Sequence, residues 1–164
     1  PLLTLNAKVE LRSVRGVRLL PLSEFLTGYR KTAMQRDELL SAVLVPAPGE
    51  RVRSAFRKLG ARRYLVISVV MAAAVIERDE MGFIVNAAVA IGSASPVPLR
   101  LPELERALIG LAPDIPPSSL GRPRHLAALA PIGDVRASAE YRLQAARVLI
   151  GDVLDLAAGV PAGG

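Results

Sequence analysis

Two apolar runs of similar length, residues 65–77 and 83–94, lie on either side of the short charged segment RDEMG. A charged segment with a glycine between two such runs predicts an antiparallel β-hairpin. Both runs are apolar almost throughout instead of alternating, so we expect both faces of the hairpin to be largely covered, at least one of them by helices. The alanine-rich residues 72–74 are equally compatible with a helix, because periodicity does not separate the two structures here.

Short strands are predicted before this hairpin. Residues 7–20 alternate in polarity around the segment SVRG, which is typical of a hairpin or of two short strands. Residues 38–45 and 54–59 predict two further strands, separated by a linker that contains PAPG. The apolar residues of the first pair are expected on one side of it, namely Val9, Leu11, Val17 and Leu19.

The last third of the chain is predicted to be helical. Pro102 is typical of a helix start, and Ser138 is a good N-cap for a second helix that extends to Leu156 and ends before Gly159. We expect Arg142 and Arg147 to face away from the core stripe of that helix. The predicted stripe consists of Tyr141, Ala145, Val148, Leu149 and Leu156. These elements predict an α+β chain in which an antiparallel sheet of about three strands packs with C-terminal helices.

A basic cluster immediately precedes the first apolar run. Arg57, Lys58, Arg62 and Arg63 place four cations within seven residues. Such a run is usually the solvated edge of a strand, but it could also hold a polyanion or a polarised ring carbonyl against the end of a sheet. The net charge of +6 favours an acidic partner, which could be nucleic acid, a phosphorylated cofactor or an acidic protein surface.

Several kinds of chemistry are excluded by composition. The chain has no cysteine, so disulfides, thiol catalysis, cysteine zinc sites and iron–sulfur ligation by this chain are absent. Redox chemistry would therefore need a bound organic cofactor. The sequence lacks the local signatures of hydrolases, dinucleotide binders and phosphotransferases, and its single histidine, His125, is interpreted as a surface or capping residue. We expect neither a catalytic residue nor a metal site.

The apolar segments are too short to cross a membrane. The longest run, residues 65–76, has 12 residues, against the roughly 18 to 20 that a spanning helix needs. No signal peptide is visible, which predicts a cytoplasmic location. The chain starts with proline inside an apolar segment, and we expect it to be the interior of a longer polypeptide.

Five spaced segments together carry a family resemblance. They are residues 25–32 (FLTGYRKT), 38–46 (ELLSAVLVP), 56–63 (FRKLGARR), 91–96 (IGSASP) and 134–142 (DVRASAEYR). In this order and spacing, the chain from about residue 5 to residue 156 resembles the FAD-binding subunit of the molybdenum hydroxylases. That family includes the medium subunit of aerobic carbon monoxide dehydrogenase and the flavin domain of xanthine dehydrogenase.

The resemblance implies a set of cofactor-binding residues. Lys58 would direct its ammonium at the polar edge of the flavin ring and stabilise negative charge there. Leu40 would form an apolar wall near the cofactor, and Arg62 would assist from the next turn. Tyr29 would line the approach of the electron acceptor.

The resemblance also implies a division of labour. FAD would pass electrons from iron–sulfur clusters of a small partner subunit to an external acceptor, while the molybdenum cofactor oxidises the substrate in a large partner subunit. Residues 1–49 would be the remnant of the FAD-binding subdomain, residues 50–158 the C-terminal sheet-and-helix subdomain, and residues 159–164 a disordered tail. The chain would lack the N-terminal glycine-rich pyrophosphate loops, so that in isolation we expect it to bind FAD weakly or not at all and to be inactive.

Leu65 and Val66 stand where some relatives carry acidic residues after the arginine pair. An acceptor other than NAD, as in carbon monoxide dehydrogenase, is therefore the preferred analogy. Two interpretations other than a flavoprotein are also compatible with the sequence. One is a structural module that docks partner subunits without a cofactor, and the other is a basic module that binds nucleic acid, although the aromatic residues needed for stacking are few.

Overall fold

A computed structural model of the chain describes residues 1–62 and 66–160. The described ranges contain nine strands and three α-helices. In chain order they are β1 (Lys8–Ser13), β2 (Gly16–Pro21), α1 (Leu22–Phe25), β3 (Leu26–Gly28), β4 (Lys31–Thr32), β5 (Leu39–Leu44), β6 (Val52–Leu59), β7 (Val70–Arg78), β8 (Ile84–Gly92), β9 (Leu99–Arg100), α2 (Pro102–Leu108) and α3 (Ala139–Ala158). Two 3-10 turns, Pro117–Leu120 and Pro123–Leu126, lie between α2 and α3.

The main sheet is antiparallel and has the order β6-β7-β8-β9. The predicted hairpin is confirmed as β7 and β8, in which Ala73 pairs with Ala90. The alanine-rich residues are strand because β7 has a paired neighbour on each side, β6 and β8. The predicted α+β class is confirmed, and the two-residue strand β9 joins the three long strands of the sheet.

The long helix α3 covers one face of this sheet. Val70, Ala72, Ala74 and Ile76, the even positions of β7, belong to the same buried cluster as Ala146, Ile150 and Leu154 of α3. Because side chains alternate along a strand, Met71, Ala73 and Val75 point to the opposite face. The sheet therefore has one face packed on helices and a second face made largely of small side chains.

Both predicted ends of α3 are confirmed. The Ser138 hydroxyl accepts a hydrogen bond from the Tyr141 amide at 3.2 Å, and Gly159 ends the helix with a left-handed φ of 80°, a conformation that glycine adopts without steric cost. The predicted tail from Pro161 onward lies outside the described residues.

The predicted core stripe of α3 is partly wrong. Ala145 and Leu149 are buried as predicted, but Tyr141 and Val148 are exposed. Arg142, which was expected to face away from the core, is only 4% exposed. The buried stripe is rotated relative to the predicted one because the Arg142 guanidinium donates to backbone and carboxylate acceptors inside the protein. Sequence periodicity cannot predict such acceptors.

The smaller sheet has the order β2-β1-β5. The predicted hairpin is confirmed as β1 and β2, but its register pairs Val9 with Leu20 and Leu11 with Arg18. Val17 and Leu19 consequently point to the other face and are exposed, so the prediction that all four apolar residues share one side is wrong. Val9 and Leu11 instead pack with Phe25 of α1.

A buried carboxylate ties this sheet to the loop before β5. Both oxygens of Glu38 accept hydrogen bonds from Arg18, at 2.6 and 2.8 Å, and Oε2 also accepts from the Gln35 amide at 2.7 Å. These bonds, above all those from Arg18, lower the pKa of Glu38 to about 2.

Acid should therefore weaken the fold through Glu38. Because its folded pKa lies below the unfolded value of about 4.3, the stabilisation is complete above that value and is lost as the pH falls towards 2. We expect Glu38→Gln to lower the melting temperature at pH 7 and to flatten its decline between pH 5 and 2. Glu24→Gln, at an exposed helical position, is the matched control, and an equal decline in both variants would contradict this assignment.

Candidate functional site

An apolar crevice separates the N-terminal segment from the uncovered face of the main sheet. Its volume is about 220 Å³. Leu2, Leu22 and Leu26 contribute to one wall, and the sheet contributes Phe56 and Met71 to the other. The crevice therefore offers a flat hydrocarbon surface on the side of the sheet opposite α3.

Small residues keep this surface flat. Ala73 and Ala90 pair across β7 and β8, and Gly92 pairs with Met71. A Cβ atom added to Gly92 would lie 2.9 Å from the Met71 Cγ, closer than ordinary van der Waals contact. Larger side chains at these positions would occupy the space that a ligand ring would need.

Arg100 holds the N-terminal wall against the sheet. It lies on β9 directly opposite Ala90, on the crevice face. Its Nη1 donates to the Leu3 carbonyl and to the Asn6 side-chain oxygen, each at 2.9 Å. Its Nε donates to Glu105 at 2.5 Å, and the same Glu105 oxygen accepts from the Val89 amide at 2.8 Å. The guanidinium thus links the N-terminal turn to both β8 and α2.

Lys58 lies on the crevice face of β6. It pairs with Met71, and Phe56 of the same strand pairs with Ala73, so Lys58 follows two residues after a crevice-lining side chain. Its Nζ donates to the Val66 carbonyl at 2.6 Å. The ammonium is thereby held beside the segment 66–69 that leads into β7, at the end of the sheet where β6 finishes.

Gly60, directly after β6, lies close to Val66. A Cβ atom on Gly60 would lie 2.6 Å from a Val66 methyl carbon, so only glycine fits there without displacement. The Val69 amide donates to the Leu59 carbonyl at 2.8 Å. The hydrogen bonding between β6 and β7 therefore extends to the residue that precedes β7. These contacts fix the position of the backbone around Lys58.

None of the four predicted site residues lines the crevice itself, and Lys58 shares only its face of the sheet. Leu40 pairs with Leu11 on β5 and is about half exposed. Tyr29 lies exposed in the turn between β3 and β4, and Arg62 lies exposed after Gly60. Arg63, the fourth member of the basic cluster, lies outside the described residues. The roles of Lys58, Leu40, Arg62 and Tyr29 stay predictions.

The crevice walls could not be recognised from the sequence. Leu22, Leu26, Phe56 and Met71 line the crevice, but each reads as an ordinary core residue in the sequence. The available signal is the small-residue pairing on one face of β7 and β8, which becomes visible only when the register is known.

His125 has a structural role. Its Nδ1 accepts a hydrogen bond from the Arg122 amide at 3.2 Å, which confirms the capping interpretation, although the side chain is buried and not on the surface. Burial, assisted by the nearby charge of Arg124, lowers the pKa of His125. The imidazole is therefore held neutral as an acceptor.

Residues 1–62 and 66–160 contain neither a candidate metal-binding cluster nor a helix that could span a membrane. No group of three or more histidine, cysteine, aspartate or glutamate side chains there could hold a metal ion. In the same residues no helix is long and apolar enough to cross a membrane.

The residues present fit a flavin ring. An isoalloxazine is flat, largely apolar and polar along one edge, so it suits a hydrocarbon wall with a cation at one end. The crevice supplies the wall, and Lys58 supplies the cation on the same face of the sheet. The shape and chemistry of this face suit a planar, mostly apolar ring.

Comparison with known proteins gives the family. The family model described as CO dehydrogenase flavoprotein C-terminal domain matches residues 54–157, and the model described as FAD binding domain in molybdopterin dehydrogenase matches residues 1–48. The chain belongs to the CO dehydrogenase flavoprotein family. The resemblance inferred from the five sequence segments is thereby confirmed.

Relatives match over nearly the whole chain. The chain is 32% identical to the xanthine dehydrogenase FAD-binding subunit of Escherichia coli O157:H7, over 99% of this chain and 56% of that protein. It is 31% identical to the carbon monoxide dehydrogenase medium chain of Afipia carboxidovorans, over 89% of this chain and 50% of that protein. The solved structure of reconstituted CO dehydrogenase from Oligotropha carboxidovorans matches 98% of this chain and 55% of its own chain, with 28% identity and a TM-score of 0.85. The chain thus spans about half the length of these relatives.

Proposed function

We propose that this chain is part of the FAD-binding subunit of a molybdenum hydroxylase and serves electron transfer. Electrons would arrive from iron–sulfur clusters of a partner subunit and leave to an external acceptor. The observation that carries the proposal is the apolar crevice with the Lys58 ammonium on the same face of the sheet. Membership of the CO dehydrogenase flavoprotein family supports it.

The residues of this chain would bind and orient the ring. Bound FAD would supply the two-electron chemistry, which no side chain of this sequence can perform. Phe56 and Met71 would contact the ring plane and exclude water, while Lys58 would place a positive charge where reduction adds electron density. The Val66 carbonyl orients the ammonium through its 2.6 Å hydrogen bond. Leu40 is proposed to form an apolar wall near the cofactor, Arg62 to assist Lys58 from the next turn, and Tyr29 to line the approach of the electron acceptor.

The proposed partners follow from family membership. The family implies that iron–sulfur clusters belong to a small subunit and the molybdenum cofactor to a large subunit, and the absence of cysteine from this sequence agrees with that division. The family also implies that an N-terminal FAD-binding segment binds the pyrophosphate of FAD. We propose the division into residues 1–49 and 50–158, and a cytoplasmic location stays a prediction.

Removing the charge of Lys58 tests the proposal. In the FAD-containing complex that carries this chain, Lys58→Met should make the flavin harder to reduce, because the positive charge that stabilises the reduced ring is lost. The reduction potential, measured by spectroelectrochemical titration, should fall while the far-UV circular dichroism and the melting temperature stay close to the parent values.

Arg57→Met is the matched control. Arg57 is the neighbouring exposed cation of β6, and it pairs with Ala72 on the helix-covered face. Its loss removes an equal charge from the opposite side of the sheet, so the flavin potential should barely change. Equal potentials for the parent and Lys58→Met, or equal shifts for both variants, would refute the proposed role of Lys58.

A further inference from the structure

Arg142 is a buried guanidinium that the proposed flavin chemistry does not use. It projects from the first turn of α3 and is 4% exposed. Its Nη1 donates to the Val69 carbonyl and, at 3.1 Å, to the Ser93 carbonyl. Its Nη2 donates to Asp134 Oδ1 at 2.7 Å. One side chain therefore joins three segments that are distant in the sequence.

The two carbonyl acceptors mark one end of the main sheet. Val69 immediately precedes β7, and Ser93 immediately follows β8. Ser93 has a φ of 65°, which is uncommon for a residue other than glycine. The guanidinium thus bonds to the sheet at the end where β6 finishes and the segment 66–69 enters β7.

Asp134 fixes the orientation of Arg142. Its Oδ1 accepts from Arg142 and from the Arg136 and Ala137 amides, and its Oδ2 accepts from the Arg136 guanidinium at 2.8 Å. Three hydrogen bonds other than the one from Arg142 therefore hold the carboxylate in place. Asp134 and Arg142 thus bond to each other within the segment DVRASAEYR. Ser138 of the same segment caps the helix that carries Arg142.

A short chain of bonds leads from Arg142 to Lys58. The carbonyl of Val69 accepts from Arg142, and its amide donates to the Leu59 carbonyl at 2.8 Å. Leu59 adjoins Lys58, whose ammonium is bonded to Val66, three residues before Val69. The segment that orients the Lys58 ammonium is thus held at its far end by Arg142.

We propose that Arg142, oriented by Asp134, is a positioning residue of the flavin site that holds the segment 66–69 and through it the Lys58 ammonium. The link to the flavin rests on the proposed function, whereas the hold on the segment does not. Lysine cannot replace this arginine, because a single ammonium cannot reproduce the planar fork that reaches two carbonyls and a carboxylate at once.

The first test measures the segment alone. In Arg142→Lys, hydrogen–deuterium exchange of the amides of residues 66–70 should be about tenfold faster than in the parent. The turn at residues 79–83, at the other end of the hairpin, should exchange unchanged. Arg147→Lys, at an exposed position of the same helix, is the control and should leave both regions as they are. Unchanged exchange at residues 66–70 in Arg142→Lys would overturn the proposal.

The second test asks whether the effect reaches the flavin. In the FAD-containing complex, Arg142→Lys should lower the flavin potential in the parent background but not in the Lys58→Met background, because the ammonium that it positions is then gone. A purely structural role predicts faster exchange and reduced stability with an unchanged potential, or the same shift in both backgrounds, and either result would overturn the positioning role. If Lys58→Met itself leaves the potential unchanged, the proposed function of Lys58 fails, while the exchange experiment still decides whether Arg142 holds the segment.

Discussion

Leu154→Ala should destabilise the protein by roughly 2–5 kcal/mol, the range for truncating a fully buried leucine. Leu154 lies on α3 with 0% exposure and belongs to the cluster that joins this helix to β7 and β8. The cluster is close-packed, so the cavity left by the missing methyl groups cannot collapse without moving the helix. Since a domain of this size is stable by only about 5–15 kcal/mol, the loss would be a large fraction of the total.

Denaturant titration checks this expectation. The midpoint should fall while the m-value stays constant, because the surface exposed on unfolding barely changes. Leu143→Ala on the same helix is the matched control, since Leu143 is 36% exposed and its truncation leaves no enclosed cavity. A similar loss in both variants would show that α3 is not anchored through the face assigned to it.

The elements of this fold could be predicted from sequence where the signals are local. Ser138 and Gly159 mark the ends of α3 because capping and left-handed backbone depend on one or two residues. The β7–β8 hairpin could be predicted because two apolar runs bracket a charged turn. Each of these features is decided by residues that are close together in the chain, where propensity and periodicity carry the information.

Features that depend on distant contacts could not be predicted. The burial of Arg142 is favourable because Val69, Ser93 and Asp134 all accept hydrogen bonds from it. The sequence of α3 does not predict these acceptors. In the first hairpin, the register pairs Leu11 with Arg18 and turns Val17 outward, and a one-residue difference in register exchanges the two faces.

The candidate site shows the same limit. Lys58 could be selected from the sequence by resemblance to a family, and the structure places it on the crevice face. The crevice itself depends on which face of the sheet receives α3 and on which segment packs opposite. For that reason Leu22, Leu26 and Met71 could be recognised as its walls only from the fold.

Arg100→Met should release the N-terminal wall of the crevice from the main sheet. The variant loses the hydrogen bonds to Leu3, Asn6 and Glu105, and hydrogen bonds to charged groups contribute roughly 1.5–3 kcal/mol each. The Arg100 side chain is 26% exposed. Partial solvent screening therefore keeps the expected free-energy contribution of each bond near the lower end of that range. Hydrogen–deuterium exchange of the amides of residues 4–7, which form the turn at this wall, should accelerate by about tenfold or more.

The control and the consequence for the crevice distinguish a local release from general destabilisation. Arg106→Met removes an exposed cation from the neighbouring helix α2 and should leave residues 4–7 protected. Methionine retains most of the aliphatic length of Arg100, so the apolar packing at this position of β9 is largely preserved and the variant loses mainly the hydrogen bonds. Because Leu3 and Leu2 line the crevice, release of this turn should also weaken the retention of FAD in the complex, measured as faster loss of flavin absorbance on gel filtration. Unchanged exchange at residues 4–7 would mean that the wall is held by apolar packing alone, since Arg100 would then contribute no more than an exposed ion pair.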